Sequence, residues 1–191
     1  MLIEAKGTDS VSGAVTKIGG FNEAAAGGGV FHFECYDKDG NLKWKEDCHN
    51  LVVNVGLQDM NTKYFSGSAY TAAWYIGLYG AAASNNPAAG DTAASHAGWT
   101  EVTAYSQATR PAATFGTATT ADPSVISNSA SPATFSINGT TTVGGAFLTT
   151  NNTKGGTTGT LFSAADFSSP GDRSVVSGDV ISVTYTFSLA G

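Results

Sequence analysis

At 191 residues and 19.4 kDa, the chain has the length of one domain, or of one domain with an arm. Charged residues make up 13% of it, against roughly 25% in an average globular protein. That figure and the 24 glycines point to sheet and turn and away from a helix bundle, while 41% hydrophobic residues exclude a disordered chain. The net charge of −6 and pI near 4.8 leave no basic stripe for phosphate, which argues against nucleic acid and anionic membrane as partners.

The opening MLIEAKGTDSVSGAV has no apolar core behind a basic stretch and does not read as a secretory signal. Residues 1–29 show no strand or helix period and carry Gly7, Gly13, Gly19, Gly20 and the run Gly27-Gly28-Gly29. They read as a glycine-rich N-terminal arm, ordered only by a neighbouring surface, ahead of a β-sandwich domain over residues 30–191. From Val30, VFHFECY, DKDGN and LKWKEDC form two alternating runs around a turn, the pattern of a hairpin. Phe31, Phe33 and Cys35 share a face. A two-residue turn at Asp39-Gly40 sets Cys35 opposite Trp44 and leaves Cys48 out of register with Cys35, so both cysteines read as thiols.

Asn54 precedes a short helical stretch in which Leu57, Met60 and Tyr64 recur at i, i+3 and i+7. AAWYIGLYG follows, apolar on both faces as a central strand would be, and then NNPAAGDTAASHAG, a loop with room for one helical turn capped by Asp91. The longest uncharged apolar run here, residues 72–83, is 12 residues, short of the roughly 20 that a membrane span takes. Beyond it WTEVTAY, ATFGTA, ATFSIN, VGGAFLT, GTLFSA and VISVTYTFSLA read as strands at sandwich spacing. In the last, Ile181, Val183, Tyr185, Phe187 and Leu189 face one way, with Ser and Thr the other. The expected fold is all-β: an antiparallel β-sandwich, of jelly-roll winding, with an extended N-terminal arm and one short helix.

Reactive patterns are sparse. Asp37, Asp39 and Asn41 resemble the start of a calcium loop, but glycine comes one position after Asp39 and no closing glutamate follows, so a turn with a glycine bulge explains them better. His32, His49 and His96 are scattered without zinc spacing. No nucleophile elbow or phosphate loop is present in the sequence. The later carboxylates Asp91, Glu101, Asp122, Asp166, Asp172 and Asp179 mostly sit where turns are expected. Trp74, Tyr75, Tyr79, Trp99 and Tyr105 would form a sugar-stacking platform if exposed and a core if buried, with burial favoured. The expectation is a protein without catalytic residues, metal or cofactor.

Several segments together resemble a family of small structural proteins of tailed bacteriophages: DKDGNLKW followed by HNLVVNVGL, then WYIGLYG, AAGDTAASHAGWTEVTAYSQATRPA and SPATFSINGTTTVGGAFL. Their order covers the chain from about residue 30 onward. The resemblance implies a capsid decoration, or cement, protein: a virion subunit on the outer capsid surface, bound to major capsid protein through the arm and one sheet edge. It implies copies of itself as further partners, and assembly in the host cytoplasm. The alternative from another class is a carbohydrate-binding adhesin, or a fibre or tail-associated domain of a virion.

Overall fold

The computed structural model describes residues 26–67, 72–80, 87–167 and 171–191. The arm expected at 1–29 lies outside them up to residue 25. Strand β1 (Ala26–Tyr36) pairs with β2 (Leu42–His49) as the hairpin requires, with Cys35 opposite Trp44 and Cys48 opposite Phe31. The register departs from a two-residue turn only at its tip, where Tyr36 pairs with Leu42 and a bulge takes up Lys43. The boundary between arm and domain moves from residue 30 to Ala26, because Gly27, Gly28 and Gly29 pair with Leu189, Ser188 and Phe187. A Cβ on Gly29 would lie 2.6 Å from the Tyr185 hydroxyl. The Gly29 N–H donates to Asn50 Oδ1 at 2.6 Å, and Asn50 Nδ2 donates to the Tyr185 hydroxyl at 2.7 Å. Three residues without side chains cannot display alternation, which is why this piece of strand read as arm.

β3 (Leu51–Val52) leads into α1 (Asn54–Phe65), the one helix among the described residues. Val53 holds the capping position and Asn54 is already helical, its N–H donating to Ala89 O at 2.8 Å. The apolar set does not form an inward stripe: Leu57 is 49% exposed and Tyr64 82%. The buried residue is Gly56, whose bare backbone sits directly on that of Phe162. Of the expected set only Met60 packs on the core, joined by Val55 on the second cluster, and the closest approach is made by an absent side chain, which side-chain periodicity does not report.

The other strands are β4 (Tyr75–Gly80), β5 (Thr100–Val102), β6 (Ser124–Ser127), β7 (Ala133–Ser136), β8 (Thr141–Val143), β9 (Gly145–Thr149), β10 (Leu161–Asp166), β11 (Arg173–Val175) and β12 (Val180–Ala190). One five-stranded sheet runs β2-β1-β12-β6 with β7 also on β12, and the other runs β3-β10-β9-β4-β5. Phe31, Phe33, Ile181, Val183 and Tyr185 of the first meet Ile76, Leu78, Ala146, Leu148 and Phe162 of the second in one core. The fold is the antiparallel sandwich expected from the alternating strands. β4 is apolar on both faces because both are covered: Tyr79 joins Val53, Trp99, Phe147, Leu161 and Ala164 in a second cluster on the outer side.

Two expected features are corrected. Residues 113–118 form no strand. Ala113 N–H donates to Trp74 O beside one sheet, whereas Gly116 and Thr119 N–H groups donate to Ser127 O and Val125 O beside the other. The segment crosses between the sheets, so neither gives it a ladder. No helix forms over the described part of 87–99 either, and Asp91 caps nothing helical: its carboxylate accepts Ala88 N–H and Trp99 Nε1–H, both at 3.0 Å. β12 keeps its expected apolar face, but burial is complete only from Ile181 to Tyr185, and Leu189 is 42% exposed. Between β6 and β7 the fully buried Asn128 side chain replaces a strand, accepting Tyr185 N–H at 2.6 Å and donating to Val183 O at 3.4 Å.

Candidate functional site

Residues 64–191 contain three basic side chains, Arg110, Lys154 and Arg173, and each is turned inward on the protein itself. Arg110 is 3% exposed. Its Nε and Nη2 donate to the two Glu101 oxygens at 2.9 and 2.7 Å, Nη1 donates to Asn151 O at 2.9 Å, and Nη2 donates also to Gly156 O at 2.8 Å. Four donations from a planar fork compensate a guanidinium taken out of water. The group also lies 5.1 Å from the Phe147 ring centroid. Glu101 accepts in addition the Gly155 N–H at 2.7 Å. The pair therefore ties β5 to the loop after β9.

Lys154, from the same loop, donates to Tyr105 O at 2.8 Å and stands 4.2 Å above the Tyr105 ring. Arg173 pairs with Glu46 of β2 and donates to Gly171 O at 2.6 Å, 5.9 Å from the Phe167 ring. Lys43 pairs with Asp179, a carboxylate 2% exposed that also accepts Val176 N–H at 2.9 Å. In the sequence the signal that marks Arg110 is its isolation, as the one Lys or Arg between Lys63 and Lys154.

Beside the Arg110–Glu101 pair lies a depression of about 380 Å³. Its floor is Phe147, Trp99 and Leu161, all nearly buried, and exposed Thr100, Thr103 and Thr157 form its rim. The third side is the segment from Ala93 to Trp99. His96 stacks on Trp99 with ring centroids 3.9 Å apart, and its Nδ1 is 2.9 Å from Trp99 O. A carbonyl only accepts, so Nδ1 carries the proton and Nε2 is an acceptor in the neutral ring.

The structure distributes the residues singled out in the sequence. Asp37 Oδ1 accepts the N–H groups of Asp39 and Asn41 at 2.9 and 2.8 Å, with Gly40 at φ +83°. This is the turn with a glycine at positive φ, and the Asn41 hydrogen bonds hold the Asp37 carboxyl below the ordinary carboxylate value. His32 sits 2.8 Å from Asp47 on β2, His49 is exposed at that strand's end, and His96 is on the far loop. Tyr79, Trp99 and Tyr105 are buried, so they belong to the core and form no exposed platform, while Trp74 and Tyr75 are half-buried. Of the later carboxylates, Asp91 and Asp179 stand in turns, whereas Glu101 and Asp166 are on strands, the latter accepting the Tyr79 hydroxyl at 2.8 Å. Burial pushes the Cys35 thiol up to about 11, with the Asp179 charge adding to the shift, so it is held as a thiol. Among the described residues no three His, Cys, Asp or Glu gather as a metal site, and no helix is long and apolar enough to cross a membrane.

Comparison with protein-family models, with curated proteins and with solved structures gave no match to this chain.

Proposed function

We propose that the chain is a structural, non-enzymatic virion protein that binds the outside of a phage capsid lattice and stabilises it, with major capsid protein and copies of itself as partners. The observation that carries this reading is the use of charge. Arg110, Lys154, Arg173 and the buried carboxylates Glu101, Asp91 and Asp179 are all spent on pinning strands and loops to each other. A side chain committed in this way stiffens a scaffold and is not available to exchange protons with a substrate. A subunit that binds only the assembled shell stabilises it by mass action, without any reaction. The proposal extends to a jelly-roll winding of the sandwich, and to an N-terminal arm that meets the lattice.

The test is to image virions that carry this chain and to count its copies by quantitative mass spectrometry. The proposal expects many copies at lattice-symmetric positions on the head exterior. It further expects capsids lacking the chain to break at lower temperature and to recover when purified protein is added back. A position on the tail alone, or no recovery on addition, overturns it.

A further inference from the structure

We infer that the depression beside Trp99 is a binding site for a neutral N-acetylated sugar. This goes beyond the lattice-binding reading and does not depend on it. Three features of the walls select the ligand. First, the two charges on the lining neutralise each other: Glu101 is held by Arg110 through both oxygens, and four of the five Arg110 donor hydrogens are engaged. An ionic ligand would find no counter-charge here. Second, the floor of Phe147, Trp99 and Leu161 is apolar and offers a methyl group a place out of water. Third, the threonines Thr100, Thr103 and Thr157 stand at the rim, beside an imidazole with an acceptor at Nε2.

A ligand that fits all three is uncharged, carries one small apolar group, and is bordered by hydroxyls and an amide N–H. An N-acetylhexosamine has this combination, with its acetyl methyl on the floor and its ring hydroxyls at the rim. The volume of about 380 Å³ lies at the small end of the range for ligand sites, suited to one or two sugar rings. The buried aromatics fail as an open platform, but the same burial makes them the base of a pocket.

Saturation-transfer NMR on the full chain tests this with N-acetylglucosamine and N-acetylgalactosamine, and with glucose and galactose as controls. The expected result is saturation of at least one N-acetylated sugar, strongest at the acetyl methyl, with at least tenfold less signal for both controls. Thr157→Trp and Thr103→Trp, which fill the rim from two sides, should each abolish the signal at an unchanged melting temperature, and His96→Ala should weaken it. Two rim variants guard against one failing to fold. Absence of transfer to both N-acetylated sugars, equal transfer to the controls, or signal unchanged in folded rim variants overturns the assignment.

Discussion

Asn128 holds together what two strands leave open. Asn128→Ala deprives Tyr185 N–H and Val183 C=O of their partner in the core, and should lower stability by about 2–4 kcal/mol in urea denaturation. Gly56→Ala sets two effects against each other. Alanine gains up to about 1 kcal/mol of helix propensity, but its Cβ would run into the Phe162 backbone, which cannot swing aside as a side chain could. A net loss of about 1–3 kcal/mol is expected, with Gly90→Ala, which meets open space, as the near-neutral control. Asp166 carries a pH signature. Burial raises its carboxyl above the ordinary 3.8, the Tyr79 hydrogen bond opposes this, and the Asp172 charge adds to it. The folded state therefore holds this proton more tightly than the unfolded chain, so the residue's contribution to stability falls as pH rises from about 3.8 through the folded value. Asp166→Asn should make the urea midpoint flatter across that window than in the parent, and two parallel profiles would contradict the assignment. Neither Asn128 nor Gly56 was legible beforehand: one acts as a surrogate strand and the other by what it lacks.

At the level of elements, alternation was the readable signal: it holds through the β1–β2 hairpin and the middle of β12, and fails at residues 113–118, which cross between the sheets. The register of β1 on β2 followed from period two together with the turn at Asp39-Gly40, and the facing of β12 from period two alone. What alternation does not carry is depth. Phe187 keeps the apolar face and packs on Phe162 at 5.5 Å between ring centroids, yet it is only half-buried, with the side-chain-free Gly29 across one ladder and Ile126 across the other. Ile181→Ala should therefore cost about 2–5 kcal/mol. Phe187→Ala should cost less than Ile181→Ala, and Thr186→Ala, which loses a 3.0 Å bond to Ser127, about 0.5–1.5 kcal/mol. Equal midpoints for the Phe187 and Ile181 variants would place the end of β12 as deep as its middle. The depression was illegible for a different reason: its walls come from β5, β9, the start of β10 and three loops, and their meeting is set by the Arg110 fork, whose partners lie 9 to 46 residues away in the chain.

For the whole molecule, the boundary at Ala26 gives a clean comparison. Removal of residues 1–29 also strips four ladder positions from β1 and the Gly29 bond to Asn50, so it should melt several degrees below a chain lacking residues 1–25. Equal melting temperatures would return Ala26 to Gly29 to the arm. The place of β12 has a further consequence, for synthesis. β1, β6 and β7 all find their partner in residues 180–190, and β1 waits for it across nearly the whole length of the described chain. On a ribosome moving at about 5–20 residues per second, the β1–β2 hairpin emerges first and stands with one edge bare for several seconds. A message truncated before codon 180 would thus yield a product in which one whole sheet has lost its middle, with three strand edges left open to pair with any neighbouring nascent chain.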